Sequence, residues 1–274
     1  ILSCGYWDNG VRLHRVNSAG KLSLDGSETG GHYGAITCLA IAQESSLLVT
    51  GGQDATCRVW VVGNAPMASA LGGTSACGVI PKKGTSSKNS MVCVHVLYGH
   101  EAPITCLAVS EDLDTVVSGA SDGRIVLHCL KNGCYVRQYR CASIPEASQL
   151  AFSRHGDVVV HSWTDRSLHR YSLNGTRLAT AAAPTTINCL LTAGGGEYLL
   201  AGGQDGLIRV HTLHDLCVLH TIDLQQHGGV TCMRMSPDHE YLLAGSQDGE
   251  VSIITDARKR MRMLDLALRR AFVG

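Results

Sequence analysis

The sequence predicts an all-β propeller, a fold in which antiparallel four-stranded sheets repeat as blades. The first observation is a short pattern that recurs six times: two or three apolar residues, then small residues, then an Asp in a turn. The second is the spacing of these Asp residues, which is 46, 68, 43, 40 and 43 residues. Such intervals fit a repeat of about 40–45 residues with four strands per blade. The six turn aspartates are Asp8, Asp54, Asp122, Asp165, Asp205 and Asp248.

Each repeat contains the same succession of strands. A leading strand such as AITCLAIA or VTCMRMS comes before the small-residue strand, and an alternating strand such as CRVWVV or LIRVHTL follows the Asp. A fourth strand such as KLSLDG, TRLATAA or, in the last repeat, RMRML closes the unit. These runs are bounded by Gly, Asn, Asp or Ser, as strands usually are. The first repeat starts at its second strand, so we predict six recognisable blades of which the first lacks its first strand.

The second blade carries an insertion. Residues 63–90 are rich in Gly, Ser and Ala and show no periodicity, and they account for the 68-residue interval. Because this composition cannot offset the entropy lost on ordering, we predict a disordered loop between the third and fourth strands. We expect residues 1–274 to form a single propeller domain that is a fragment of a longer protein.

The overall charge argues against a nucleic-acid partner. Lys plus Arg and Asp plus Glu number 23 each, so the formal net charge is zero, whereas nucleic-acid binders usually carry a basic excess. No run of 18 apolar residues predicts a membrane span. The sequence contains no GxxxxGK[ST] or GxGxxG phosphate loop and no GxSxG elbow. We therefore predict a protein that is not an enzyme and takes no cofactor.

Two groups of metal-ligand residue types have a simpler explanation. One cysteine stands at the same first-strand position in four blades, which indicates a packing slot: Cys38, Cys106, Cys189 and Cys232. The run HTLHDLCVLH spaces four residues by three: His211, His214, Cys217 and His220. That spacing gathers ligands on a helix, but the repeat predicts strand, turn and strand here, where side chains alternate with period two. We predict no metal site, and the cysteines favour a reducing compartment.

A Gly-His pair about 20 residues before the Asp completes the signature of the repeat. With a Ser or Thr and a Trp, it resembles the WD40 repeat, and the match is fullest in the second blade: His32, Thr50, Asp54 and Trp60. The resemblance implies a buried chain in which Asp accepts from His, His bonds to the hydroxyl, and the hydroxyl meets the indole N–H. Such a network has to be fully satisfied to stabilise the fold.

The other blades keep less of this signature. The third retains three of the four residues, with His128 where Trp would stand: His100, Ser118 and Asp122. The sixth retains His227 and Asp248, but Ala244 replaces the hydroxyl residue, and the fourth and fifth lack the Gly-His pair. We expect weaker or absent networks in these blades.

A closer resemblance covers nearly the whole chain. The stretches ILSCGYWDN, VLYGHEAPITCLAVSEDLDTVVSGASDG and SLHRYSLNGTRLA resemble the C-terminal propeller of the BEACH (Beige and Chediak–Higashi related) family. The resemblance implies a non-enzymatic platform for protein partners at the end of a very large scaffold. It also implies a role in vesicle trafficking, lysosome-related organelles or autophagy. The expected location is cytoplasmic, with peripheral association with endomembranes through upstream domains.

Two alternatives stay open. The first is a WD40 adaptor or substrate receptor of another complex, such as a ubiquitin ligase, which the sequence upstream of this chain would distinguish. The second is a propeller enzyme with a metal or carboxylate centre. The Asp residues could act as paired acids and bases, but one Asp per blade beside a small turn residue favours a turn-forming role.

The residues just before the turn aspartates are the candidate partner-binding residues. They are polar or amphipathic and differ between blades: Trp7, Gln53, Ser121, Thr164, Gln204 and Gln247. Their side chains need not fill the core, so we expect them to contact protein partners of unknown identity, with Trp7 as a natural anchor. The alternative is that they are ordinary turn residues.

Overall fold

The computed structural model describes most of the chain. The described residues are 2–4, 8–18, 20–28, 31–42, 46–63, 90–141, 145–193, 195–224, 228–236, 238 and 240–255. The chain divides into two compact units, residues 1–148 and 149–274. The predicted loop lies outside the described residues except for its first and last residues, and so do the predicted closing strand RMRML, Trp7 and His227.

Unit 1 contains three antiparallel sheets in its described part, each with its strands in chain order. The first sheet comprises β1 (Leu2–Ser3), β2 (Val11–Val16) and β3 (Leu22–Glu28). The second comprises β4 (Ile36–Ala42), β5 (Leu47–Gly52), β6 (Cys57–Gly63) and β7 (Ser90–Leu97). The third comprises β8 (Ile104–Ser110), β9 (Thr115–Ala120), β10 (Arg124–Cys129) and β11 (Tyr135–Arg140).

Unit 2 repeats this arrangement in its described part. The fourth sheet comprises β12 (Gln149–Phe152), β13 (Val158–Ser162), β14 (Ser167–Tyr171) and β15 (Arg177–Ala182). The fifth comprises β16 (Ile187–Ala193), β17 (Tyr198–Gly203), β18 (Leu207–Thr212) and β19 (Val218–Asp223). The sixth comprises β20 (Val230–Met235), β21 (Leu242–Ser246) and β22 (Val251–Ile254).

The predicted architecture of antiparallel four-stranded sheets is confirmed for the second to fifth sheets. The first and sixth sheets have three strands each within the described ranges. Burial follows strand position: β5 and β17 are buried along their whole length, whereas the outer strand β11 is almost entirely exposed. Within the same ranges, no helix has the length and hydropathy that a membrane span requires.

Within each unit, neighbouring sheets pack on each other and bury apolar side chains between them. In unit 1, Val49 and Val59 of the second sheet share a core with Ile104 and Val116 of the third. In unit 2, Leu200 of the fifth sheet packs in the same way with the sixth. Removal of apolar surface from water stabilises by about 25 cal/mol per Å², so a two-faced sheet is stable only when its neighbours cover it. This packing fixes the position of each turn.

The repeated cysteine fills a slot beside a glycine in the neighbouring strand. Cys38 is registered with Gly51, and a Cβ added at Gly51 would lie 2.9 Å from Cys38 Sγ and 2.7 Å from Ile104. The same close approach occurs at Cys106 with Gly119, and at Cys189 with Gly202. Burial raises the pKa of the Cys38 and Cys189 thiols to about 12, which keeps them protonated and unreactive.

Candidate functional site

The turn residues predicted to bind partners are exposed wherever they are described. These are Gln53 and Ser121 in unit 1, and Thr164, Gln204 and Gln247 in unit 2. The predicted anchor Trp7 lies outside the described residues. A different tryptophan, Trp163, is half exposed beside Thr164, and its indole N–H donates to the Ile187 carbonyl (3.3 Å). The sequence pattern had placed Trp163 in a small-residue position and did not indicate this exposure.

The backbone beneath these side chains is held in place by one repeated hydrogen bond. The Gln53 amide donates to the carbonyl of Ala35, just before β4, at 2.9 Å. The same bond recurs at three of the other four described turns: Ser121 to Pro103 (3.0 Å), Gln204 to Thr186 (2.9 Å) and Gln247 to Gly229 (2.8 Å). An ordered backbone therefore carries exposed polar side chains, Gln in three of these sheets and Ser in the fourth.

The aspartate that follows each turn residue orders the turn. In five of the six, a carboxylate oxygen accepts the amide two residues later: Asp8 from Gly10, Asp54 from Thr56, Asp122 from Arg124, Asp165 from Ser167, and Asp205 from Leu207. An Asp side chain that accepts the amide two residues later forms an Asx turn, which is the usual role of Asp at such positions. What else each Asp binds differs between the sheets.

The second sheet brings its four signature residues into one hydrogen-bonded chain. His32 Nδ1 lies 3.0 Å from Asp54 Oδ1, and His32 Nε2 lies 2.8 Å from Thr50 Oγ1. The Trp60 indole N–H donates to the same Thr50 oxygen at 2.8 Å. His32, Thr50 and Trp60 are buried.

The donors and acceptors of this chain match one another. Since Asp54 can only accept, His32 Nδ1 carries the proton and donates it, and His32 Nε2 then accepts from the Thr50 hydroxyl. The Thr50 oxygen keeps a lone pair for the indole N–H. The Asp54 carboxylate also accepts the Tyr33 amide (2.9 Å) and the Thr56 hydroxyl (2.8 Å). The polar side-chain groups of His32, Thr50, Asp54 and Trp60 are therefore all paired.

The electrostatics agree with a neutral His32 and an ionised Asp54. Burial lowers the pKa of His32, and the neighbouring Asp54 only partly offsets this. Burial alone would raise the pKa of Asp54, but the hydrogen bonds from His32, Tyr33 and Thr56 outweigh it and hold the pKa below its usual value.

Two glycines provide the space for the chain. A Cβ at Gly52 would lie 2.6 Å from His32 Nδ1 and 2.8 Å from Asp54 Oδ1, so it would clash with both partners of their hydrogen bond. A Cβ at Gly31, which precedes His32, would lie 2.5 Å from the Trp60 ring. The Gly of the Gly-His pair is thus required by the tryptophan that packs on it.

The third sheet does not assemble the corresponding chain. His100 Nε2 bonds to Ser118 Oγ at 2.8 Å, but His100 Nδ1 is buried and has no hydrogen-bond partner in the described part of the chain. Asp122 instead pairs with Arg124 (3.2 Å), which also contacts Glu101 (2.9 Å). Burial lowers the pKa of His100 to about 4.

The two sheets differ by a methyl group at this point. Ala120 occupies the position of Gly52 and is fully buried, whereas a Cβ at Gly52 would clash with both partners of the His-to-Asp hydrogen bond in the second sheet. His128, which stands in the tryptophan position, donates to the Tyr98 carbonyl (2.8 Å) rather than to Ser118. The Ser118 hydroxyl turns to the Val126 carbonyl (3.2 Å).

In three further sheets the turn Asp contacts a basic side chain four residues later, which the sequence reasoning missed. Asp8 pairs with Arg12 (2.8 Å), and Asp205 pairs with Arg209 through both carboxylate oxygens. In the fourth sheet His169 takes this place, 3.3 Å from Asp165. The spacing D-x-x-x-R or D-x-x-x-H was the available signal, since neighbouring strands bring residues i and i+4 of a tight turn together.

The fourth sheet also places a histidine in the hydroxyl position. His161 is fully buried, and neither ring nitrogen has a hydrogen-bond partner among the described residues. Burial lowers its pKa to about 4. Burial of a neutral imidazole at this position costs less free energy than burial of a charged one.

The four residues of the HTLHDLCVLH run do not converge. His211 is buried and donates through Nδ1 to the Leu216 carbonyl (2.9 Å), whereas His214, Cys217 and His220 are exposed. Over the described ranges, no group of three or more His, Cys, Asp or Glu is placed to hold a metal ion.

Comparison with known proteins assigns this arrangement to a family. The family model described as the neurobeachin beta propeller domain matches residues 1–263. The chain is 33% identical over 219 residues to BEACH domain-containing protein B of Arabidopsis thaliana, an alignment that covers 80% of this chain. The chain spans 8% of the length of that relative.

A solved structure shares the fold. The crystal structure of the computationally designed Ika8 protein superposes with a TM-score of 0.59 at 22% identity, over 93% of this chain and 70% of that chain. At this identity the likeness concerns the fold alone. Together with the family match over nearly the whole sequence, the repeated antiparallel sheets lead to one assignment: the chain belongs to the neurobeachin beta propeller family and is a WD40 propeller of the BEACH-domain proteins.

Proposed function

We propose that this propeller is a non-enzymatic platform for protein partners, the C-terminal module of a BEACH-type scaffold that acts in vesicle trafficking, lysosome-related or autophagic processes. The observation that carries the proposal is the turn architecture. The amides of Gln53, Ser121, Gln204 and Gln247 donate to the residue just before the first strand of their sheet, and their side chains are exposed to solvent. A pre-ordered backbone lowers the entropy cost of binding, so exposed polar side chains upon it suit recognition of a partner.

We further propose that each of the six sheets is one blade, the first of which lacks its leading strand. The three-stranded first sheet and the packing of consecutive sheets support this count. For the whole protein we propose a cytoplasmic location and peripheral association with endomembranes through upstream domains. The family match favours this role over an adaptor of another complex, such as a ubiquitin ligase.

Glutamine-to-glutamate changes test the proposed surface because they keep side-chain size and add charge. We expect the variants Gln53→Glu and Gln204→Glu to lose partners that the unaltered protein captures from cell extract and that mass spectrometry identifies. Gln138→Glu, on the exposed outer strand β11, is the matched control and should retain them. If all three variants capture the same partners in the same amounts, the turn residues are not the binding surface.

A further inference from the structure

Unit 2 contains a polar pocket between its fourth and fifth sheets, with a volume of about 340 Å³. Its lining comes from the β12–β13 turn, β14, the β16–β17 turn and the end of β18 with the residues that follow it. All of these lining residues are described and belong to unit 2. The turns involved stand at the opposite ends of the strands from the turn aspartates, so the pocket is separate from the turn surface proposed above.

One wall of the pocket is an arginine whose donors are already engaged. Arg170 Nη1 donates to the His214 carbonyl (2.6 Å), and Arg170 Nη2 lies 3.1 Å from Asp157 Oδ1. The side chains of Arg170 and Asp157 are 15% and 13% exposed, and the Arg170 Nε is buried. Because Asp157 already balances the charge of this guanidinium, the pocket is poorly suited to an anion such as phosphate.

The backbone around the pocket is ordered by hydrogen bonds of its own. The Ser153 hydroxyl accepts the amides of His155 (3.2 Å) and Asp157 (3.0 Å), which fixes the β12–β13 turn. The Leu213 amide donates to the Glu197 carbonyl (2.8 Å), which ties the β16–β17 turn to the end of β18. A site that is ordered in this way loses little entropy when a ligand binds.

A glycine brings two of these turns together. Gly196 has a φ of +98°, and a Cβ there would lie 3.3 Å from His155 Cδ2 and 3.4 Å from the Arg154 amide nitrogen. A side chain at this position would therefore push the turns apart. With glycine, the His155 ring lies against the turn that carries Glu197, and both residues line the pocket.

The lining carries unpaired acceptors. The Glu197 carboxylate and the second carboxylate oxygen of Asp157, Oδ2, have no hydrogen-bond or ion-pair partner among the described residues. Apart from its histidines, the lining holds two carboxylates and one guanidinium, so negative charge is in excess. A cleft lined by an excess of one charge attracts a ligand of the opposite charge, which here is a cation.

The kind of cation follows from the geometry. Within the described ranges, no group of three or more His, Cys, Asp or Glu is placed to hold a metal ion, which favours an organic cation. A guanidinium offers five donors in a planar fork that matches a carboxylate, and its flat face stacks on ring systems such as the imidazoles of His155 and His214. Both imidazoles lack a hydrogen-bond partner in the described part of the chain.

We propose that this pocket binds an arginine side chain of a protein partner, with Glu197 and Asp157 Oδ2 as acceptors and His155 and His214 beside the guanidinium. The inference rests on the proposed role as a platform for proteins and adds a second binding site to it.

An arginine without other charges provides the probe. Nα-acetyl-arginine methylamide is titrated into the 274-residue chain while NMR spectra of the histidine rings are recorded. We expect the signals of His155 and His214 to shift in a saturable manner, and the signal of His220, which is exposed on β19, to stay unchanged. The citrulline analogue has the same shape without the charge and should shift none of them.

Variants locate the contact. Glu197→Gln keeps the side-chain size and should weaken binding about fivefold, the effect of one partly exposed ion pair. Glu197→Lys places a cation of the chain itself at the pocket and should abolish binding. Since Glu197 is exposed, neither change should disturb the fold.

Two control variants should bind the arginine compound as the unaltered chain does. Glu240→Gln is the matched control, because Glu240 directly precedes Tyr241 in the β20–β21 turn as Glu197 precedes Tyr198. Gln204→Glu alters the turn surface at the other end of the fifth sheet. The two proposed surfaces can therefore fail independently of each other.

Four outcomes would overturn the proposal. Equal shifts with the citrulline compound would show that the charge is not recognised. Tighter binding of the corresponding lysine compound would assign the pocket to lysine. Saturable shifts of His155 and His214 with inorganic phosphate, and none with the arginine compound, would make it an anion site. Signals that none of these compounds moves would show that the pocket takes no such side chain.

Discussion

The second and third sheets carry the same His, hydroxyl and Asp residues at the same spacing, yet only the second joins them. In the second sheet, His32 links Asp54 to Thr50, and Thr50 also accepts from Trp60. No buried polar atom of these four side chains is left unpaired. In the third, His100 reaches Ser118 alone, and Asp122 pairs with Arg124 near the surface. The comparison indicates that formation of the hydrogen-bonded network depends on the small residues beside the polar side chains as much as on the polar side chains themselves.

The largest expected difference follows from removal of the two aspartates. Asp54→Ala should lower the free energy of unfolding by about 3 kcal/mol, because His32, Tyr33 and Thr56 all lose an acceptor. Asp122→Ala should cost less than about 1 kcal/mol, since it breaks an ion pair that is partly exposed to water. Urea unfolding of both variants measures this. Equal losses would mean that the two networks contribute alike.

Exchange of the two small residues, Gly52 and Ala120, tests the role of the space around each histidine. Gly52→Ala should lower the free energy of unfolding by about 2 kcal/mol, because the new methyl would clash with both His32 Nδ1 and Asp54 Oδ1. Nitrogen NMR of the histidine rings should show the His32 Nδ1 proton lost from its bond.

The reverse change, Ala120→Gly, is the matched control. It should cost at most about 1 kcal/mol for the added backbone freedom, and it should let His100 Nδ1 donate to Asp122. An unchanged His100 ring would show that the Ala120 methyl is not what separates the pair.

The two histidines should also differ in their response to acid. The pKa of His100 falls to about 4 in the folded chain, against about 6.5 when unfolded, so the neutral form is favoured by folding. Its contribution is therefore complete above about pH 6.5 and is lost as the pH falls towards 4, at up to about 1.4 kcal/mol per pH unit.

Unfolding free energies measured between pH 7 and 4 test this dependence. His100→Asn should flatten the profile, and His32→Asn should flatten it less, because Asp54 offsets part of the burial effect on His32. A profile that neither variant changes would assign the acid sensitivity to other groups, with buried His161 as the next candidate.

The smallest expected effect concerns the ion pair that replaces the network in the third sheet. Arg124→Gln should change the unfolding free energy by less than about 1 kcal/mol, because Arg124, Asp122 and Glu101 all remain accessible to water. The difference should shrink further in high salt. A loss as large as that for Asp54→Ala would show that the ion pair replaces the buried network in full.

Much of the fold was predictable because its determinants are local. Alternating apolar residues and turn aspartates placed the strands to within a residue or two, as in β8 and β16. The packing role of the repeated cysteine was predictable from its recurrence at one strand position and holds for Cys38, Cys106 and Cys189, whereas Cys232 is exposed. The residues of the second-sheet chain were predictable as well, because the His, Thr, Asp and Trp types all stand at the spacing of the repeat.

The sequence alone specifies the succession of strands, the turn at each Asp and the polar residues available near it. Which of these polar groups meet is set by tertiary packing, because it depends on the space around each group and on side chains from neighbouring strands. Gly52 leaves room beside the His32–Asp54 pair where the third sheet has Ala120, and Arg209 holds Asp205 in a sheet that has no Gly-His pair.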